Sequence, residues 1–208
     1  MEKRDNLDLT MIESKMIIAI TGGIGSGKSY LSKLLADKGI GVYDCDDSAK
    51  RLMASDKSLQ SALKELVGDD VYKDNVLQKA VLAKFLLASE SNKQAVNAIV
   101  HPAVALDFLQ SPYQWLESAI LFESHFDRLI RPHKVLCVTA PMGIRIERIM
   151  NRDHITREKA MEWIAKQMPQ EEIISKSDLE IVNDGIADVP QQLNLILQQI
   201  EQEAKTNL

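Results

Sequence analysis

Residues 16–21 (MIIAIT) form an unbroken apolar run. It leads directly into Gly22-Gly23-Ile24-Gly25-Ser26-Gly27-Lys28-Ser29, and then into a helical pattern with Leu31, Leu34 and Leu35 on one side. A run without polar alternation suits a strand buried on both faces, as in a parallel sheet. The glycine-rich stretch fits GxxxxGK[ST] in full, and a chance match in a chain this long is on the order of 1% at average residue usage. Glycines let the backbone curl with its N–H groups inward, where side chains would block a phosphate. The helix starting there adds its N-terminal partial positive charge. In such a loop Lys28 reaches the β and γ phosphates, and Ser29 offers a hydroxyl to Mg²⁺. Gly39 is a helix stop, and Ile40–Tyr43 (IGVY) reads as a second strand. The unit is strand–helix–strand, with a right-handed crossover.

The remaining pattern extends this to an α/β chain. Further strands are expected at Glu117–Glu123 (ESAILFE), Lys134–Ala140 and Leu179–Val182, which makes five. Between the second and third strands nearly everything is helical in period. Leu59, Leu63 and Leu66 space one helix closed by Gly68, Val76–Leu87 forms another, and Val96–Leu109 a third with Pro102 inside it. Pro102 predicts a kink or a break. Later helices are expected from Pro141 and Met142, over Thr156–Met168, and from Val189 to the end. The reading is a five-stranded parallel sheet with helices on both faces. The core takes residues 16–45, 111–141 and 179–208. A helical domain is inserted at 46–110, lid helices follow at 142–178, and residues 1–15 form a polar extension. Ligands in such folds sit at the carboxyl ends of the strands.

Composition removes several alternatives. The net charge of −5 argues against a broad basic surface for nucleic acid. No apolar run reaches the roughly 18–20 residues that span a bilayer, so no membrane partner is expected. Two cysteines, Cys45 and Cys137, make neither a disulfide scaffold nor a zinc site. That usage fits a reducing cytoplasm. Cys137 lies in a buried strand and reads as inert.

Three further groups carry chemistry. Asp44-Cys45-Asp46-Asp47 follows the second strand, where a carboxylate could accept a proton from an attacking hydroxyl or hold Mg²⁺. The same residues could equally cap the next helix. Arg145, Arg148 and Arg152 lie three and four apart and share a helix face. They could close over polyphosphate, or form a solvated charged face. Glu123, at the expected end of the third strand, could orient a metal or a substrate. His101 before Pro102 reads on physical grounds as a structural histidine.

Taken in order, these motifs resemble the dephospho-coenzyme A kinase family. The resemblance rests on ITGGIGSGKS (20–29), Asp44-Cys45-Asp46, Asn97-Ala98-Ile99-Val100-His101-Pro102 and Leu121-Phe122-Glu123. It continues through Arg148-Ile-Met-Asn-Arg152-Asp153, Thr156-Arg157-Glu158, Ser177-Asp178 and Asn183-Asp184-Gly185. It implies transfer of the γ-phosphoryl group of ATP to the ribose 3′-hydroxyl of dephospho-coenzyme A, with Mg²⁺. It implies Asp46 as base, with Lys28 and Arg148 as the other catalytic residues. ATP would be held by Gly23, Ile24, Gly25, Ser26, Gly27, Lys28, Ser29, Tyr30, Arg148, Arg152 and Asn183. Asp46, Lys79, His101 and Glu123 would contact the acceptor, and the 46–110 insert would bind coenzyme A. A monomer or weak homo-oligomer is expected. Tyr30 departs from a common threonine, and Lys50 and Lys79 from usual arginines. Two other readings compete: another P-loop small-molecule kinase, such as a nucleoside monophosphate kinase, and a nucleotide switch or ATPase. A guanine-reading switch would carry Asn-Lys-x-Asp, and the last strand ends instead in Asn183-Asp184-Gly185.

Overall fold

The computed structural model describes residues 15–206, so the polar extension lies outside the described residues except for Lys15. The chain divides into two compact units. One comprises Met16–Val42, Gln114–Asp127 and Arg131–Leu208; the other comprises Lys15, Tyr43–Tyr113 and Arg128–Ile130.

The first unit is built on the sheet. Strands β1 (Ile18–Thr21), β2 (Val42–Asp44), β5 (Trp115–Glu117), β6 (Lys134–Thr139) and β7 (Leu179–Val182) are ordered β2-β5-β1-β6-β7. The central β1 runs parallel to β5 and β6, with Ile18 opposite Trp115 and Lys134. Side-chain alternation puts Ile18, Ile20, Leu136, Val138 and Ile181 in one cluster. They pack with Leu31 and Leu35 of helix α1 (Lys28–Asp37) and with Val189, Leu193, Ile196 and Ile200 of the C-terminal helix, Val189–Thr206. Ala19, Val135 and Cys137 alternate to the other face and are also buried. Each fully buried isoleucine or leucine contributes about 1.5–3 kcal/mol. The continuous apolar reading of β1 and β6 follows from this two-sided burial. A smaller core joins Ile146 and Ile149 of the helix Met142–Asp153 to Ala160 and Trp163 of the helix Arg157–Ala165, with Ile24 of the glycine loop packed against it.

Two expectations in this unit need correction. The strand expected at 117–123 ends at Glu117. Residues 119–125 turn instead, with the Ser124 N–H donating to the Ile120 carbonyl. Leu121 and Phe122 are buried as turn residues, which is why their run imitates a strand. Glu123 is therefore not at a strand end. The helix expected to reach Met168 stops at Ala165. Pro169 disfavours helical backbone at Met168, and the freed residues make contacts described below.

The second unit is helical. It contains α2 (Cys45–Ser55), α3 (Lys57–Val67), α4 (Lys79–Ala88) and α5 (Glu90–Gln110). The first three all pack on α5, whose Val96, Val100, Val104 and Phe108 are buried at four-residue spacing. The helix runs unbroken through Pro102. Pro102 is exposed, as is Ala98, whose carbonyl loses its donor there, so water can satisfy it. The helix expected from Val76 begins at Lys79. Strand β4 (Val76–Leu77) instead pairs antiparallel with β3 (Tyr72–Lys73), through a two-residue turn at Asp74 and Asn75. Both turn residues have positive φ, 51° and 63°, as a type I′ hairpin requires. Asp107 accepts from the Tyr43 hydroxyl at 2.6 Å and pairs with Arg51, tying the start of α2 to α5.

Lys15 closes the far end of α5. Its Nζ donates to the carbonyls of Phe108 (2.9 Å) and Ser111 (3.0 Å) and lies 4.1 Å from the Phe108 ring centroid. A cation at a helix C-terminus and over a ring contributes about 1 kcal/mol here. Lys15→Met keeps the stem and removes the charge. It is expected to lower Tm by about 2–4 °C, measured by thermal unfolding; an unchanged Tm would show the cap to be idle.

Candidate active site

The glycine loop is held in shape by side chains that arrive late in the chain. Gly27, at φ 105°, is the N-cap of α1, and a Cβ there would run into the Asn183 amide. Asn183 is buried and donates through Nδ2 to the Ser26 carbonyl at 2.9 Å. Its own N–H donates to the Thr139 carbonyl, which locks it to β6. Arg148 spans the same loop. Its Nη1 donates to the carbonyls of Gly25 (3.3 Å) and Ser26 (3.1 Å), and its Nη2 donates to Asn183 O (3.0 Å) and Oδ1 (3.1 Å). Loop carbonyls are thus tied off by donors. A phosphate would otherwise be repelled by them, while the N–H groups remain its natural partners. Lys28 is buried at 9% exposure, and its Nζ donates to the Gly22 carbonyl at 2.9 Å.

Beside the loop lies a cavity of about 490 Å³, lined by Gly27, Tyr30, Arg148, Asn183, Gly185 and residues 187–190. This is the size range of small-ligand pockets. Asp184 shapes its wall by accepting from the N–H groups of Ile186 (2.9 Å) and Ala187 (2.8 Å). Those backbone donors, Ala187 first, hold its carboxyl below the usual range. Ser29 and Tyr30 are exposed on the first turn of α1. Arg152 is exposed and pairs with its neighbour Asp153 at 2.7 Å.

The structure separates the three aspartates at the end of β2 and the start of α2. Asp44 is the helix cap and accepts from the Asp47 N–H at 2.8 Å. Asp47 pairs with Lys50. Asp46 is exposed on the first turn of α2. In the same helical unit, Lys79 is the exposed first residue of α4, and His101 lies half-buried in the middle of α5. Glu123 accepts from the Met168 N–H at 3.2 Å. Cys137 is fully buried, and burial, helped by Glu180, pushes its thiol up to about 12.

Two further side chains reach the loop. Arg145 is 5% exposed, and its Nε donates to the Ile24 carbonyl at 2.9 Å. Burial lowers its pKa, partly opposed by Glu171. Gln167 accepts from the Ile24 N–H at 2.6 Å. The arginine spacing hinted at Arg145, but nothing local marks Gln167, because the contact spans 143 residues of chain.

A parallel sheet, a glycine loop between β1 and α1, a buried lysine and a nucleotide-sized cavity define a P-loop phosphotransferase. The dephospho-CoA kinase family profile matches residues 16–188. A Bacteroides fragilis protein named dephospho-CoA kinase is 40% identical over 187 residues, covering 86% of this chain and 90% of that one. A Thermus thermophilus crystal structure superposes with a TM-score of 0.70 at 31% identity, covering 90% of this chain and 97% of that chain. A dephospho-CoA kinase from Campylobacter jejuni has the same fold, with a TM-score of 0.61 at 22% identity over 92% of this chain and 98% of that one. The chain belongs to the dephospho-CoA kinase family. Its reaction is the ATP-dependent phosphorylation of dephospho-coenzyme A, rather than of a nucleoside monophosphate.

Proposed function

We propose that the γ-phosphoryl group of ATP passes to the ribose 3′-hydroxyl of dephospho-coenzyme A, with Asp46 taking the hydroxyl proton. The observation that supports this most is the loop itself. Lys28 is buried at its mouth, and Arg148 borders both the loop and the adjoining cavity. Phosphoryl transfer needs alignment and charge neutralisation more than covalent help. The loop residues 23–30, Lys28 among them, hold the polyphosphate. Arg148 meets the charge on the transferred group, with Arg152 as a second contact. Asn183 and the 184–188 turn border the base, and Tyr30 lines the same cavity. The 46–110 helices take the coenzyme A portion, with Lys79 and His101 as contacts, and the 142–178 helices act as a lid.

ATP is used with a divalent metal, and Mg²⁺ fits the chemistry here. The exposed Ser29 hydroxyl is one hard oxygen ligand at the end of the loop. Bound with ATP, Mg²⁺ would neutralise phosphate charge. Among the described residues no helix is long and apolar enough to cross a membrane. The two buried cysteines, not joined in a disulfide, suit a reducing cytoplasm, where we assign the protein as a monomer or weak homo-oligomer.

The test is ADP release from the purified chain with Mg²⁺-ATP, with and without dephospho-coenzyme A. Release that rises at least about tenfold with the acceptor supports the reading. Equal release without acceptor would make the chain an ATPase. Release with AMP or another nucleoside monophosphate in its place would move the substrate.

A further inference from the structure

The backbone is gripped on both sides of Ile24. Gln167 accepts its N–H at 2.6 Å, and the Arg145 Nε donates to its carbonyl at 2.9 Å. The Nη2 of Arg145 also reaches the same Gln167 oxygen at 3.5 Å, closing the grip on itself. Gly23 is needed beneath it, because a Cβ at that position would overlap the guanidinium. The Gln167 side of the grip is anchored in turn, since Glu123 accepts from the Met168 N–H at 3.2 Å. The Arg145 side is anchored by the small core that Ile146 and Ile149 make with the next helix, against which Ile24 packs.

We infer that Arg145 and Gln167 are positioning residues that clamp the backbone on both sides of Ile24, and that Glu123 acts through Gln167 rather than on the substrate. The physical need is specific. A loop with glycines at 22, 23, 25 and 27 loses unusual conformational freedom on ordering. A flip of the Ile24–Gly25 peptide would aim the Ile24 carbonyl where the loop must present N–H groups. Holding that carbonyl outward with a charge-assisted bond removes the alternative before ATP arrives. The clamp joins β1's loop to the helices after β6, so polyphosphate binding and the posture of those helices are linked.

This inference rests on the loop's role in binding polyphosphate. The test uses the full chain and three ligands: ATP, inorganic tripolyphosphate and dephospho-coenzyme A, each by calorimetry. Arg145→Lys keeps the charge but loses the planar fork, and Gln167→Met keeps the length but loses the strong acceptor. Both are expected to weaken ATP and tripolyphosphate by about the same factor, roughly tenfold, with dephospho-coenzyme A within about twofold. Glu123→Ala should share the defect. Glu123→Gln, which keeps an oxygen for the Met168 N–H, should restore it. ATP and tripolyphosphate affinities within about twofold of the parent in both clamp variants would overturn the inference. So would an equal weakening of all three ligands with a fall in Tm, which signals packing alone. Loss of activity in Glu123→Gln with unchanged ATP affinity would return Glu123 to the chemistry. Failure of the kinase reading would appear separately, as a parent chain that binds tripolyphosphate but shows no acceptor-dependent ADP release. A parent that does not bind tripolyphosphate would also overturn the clamp.

Discussion

Asp46→Asn is expected to lower acceptor-dependent ADP release by about 10³-fold, within the 10²–10⁴ range that a positioned general base supplies. Asparagine matches the shape of aspartate but cannot take the proton from a ribose hydroxyl. The change should leave the fold intact, because Asp44, not Asp46, caps α2, and Asp107 ties that helix end to α5 through Tyr43 and Arg51. Tm should therefore stay within about 2 °C of the parent, and ATP affinity should be little altered. The measurement is kcat with both substrates saturating, beside a thermal melt. A variant that keeps more than about a tenth of parental turnover would remove Asp46 as the base.

Lys28→Met is expected to cost about 10²–10³ in kcat, the scale of losing one preorganised donor to developing charge in a water-poor site. The side chain is buried, so its ammonium acts in a medium that screens less than water. Methionine fills the stem's volume, so no cavity opens, and the Gly22 carbonyl loses one donor at a cost of about 1 kcal/mol. Full kinetics should show kcat falling more than KM for dephospho-coenzyme A rises. A rise confined to KM for ATP would make Lys28 a binding residue without a part in the transition state.

Much of the site could be read from residues close in sequence. The loop from Gly22 to Ser29 announces itself because phosphate binding requires glycine, lysine and a hydroxyl at set spacing on a strand-to-helix turn. The strands at 18–21 and 134–139 were visible because burial on both faces demands continuous apolar runs. Leu121-Phe122 broke the same rule, since a buried turn makes the same demand on side chains without entering the ladder. The Asp74-Asn75 hairpin had a signal that helix periodicity masked: two turn-prone residues between short apolar pairs. Among Asp44, Asp46 and Asp47, composition could not say which one caps α2. That depends on backbone geometry at the first turn of α2.

The sequence alone determined the class of fold, the phosphate loop and, through ordered motifs, the family. All of these rest on local rules, in which a few neighbouring residues meet one physical demand. Only the tertiary structure decided what holds that loop. Arg145, Gln167 and Asn183 reach it from 121, 143 and 157 residues away, and a hydrogen bond over such a separation leaves no periodicity or spacing in the chain. The partner exists only once the sheet brings the two segments together.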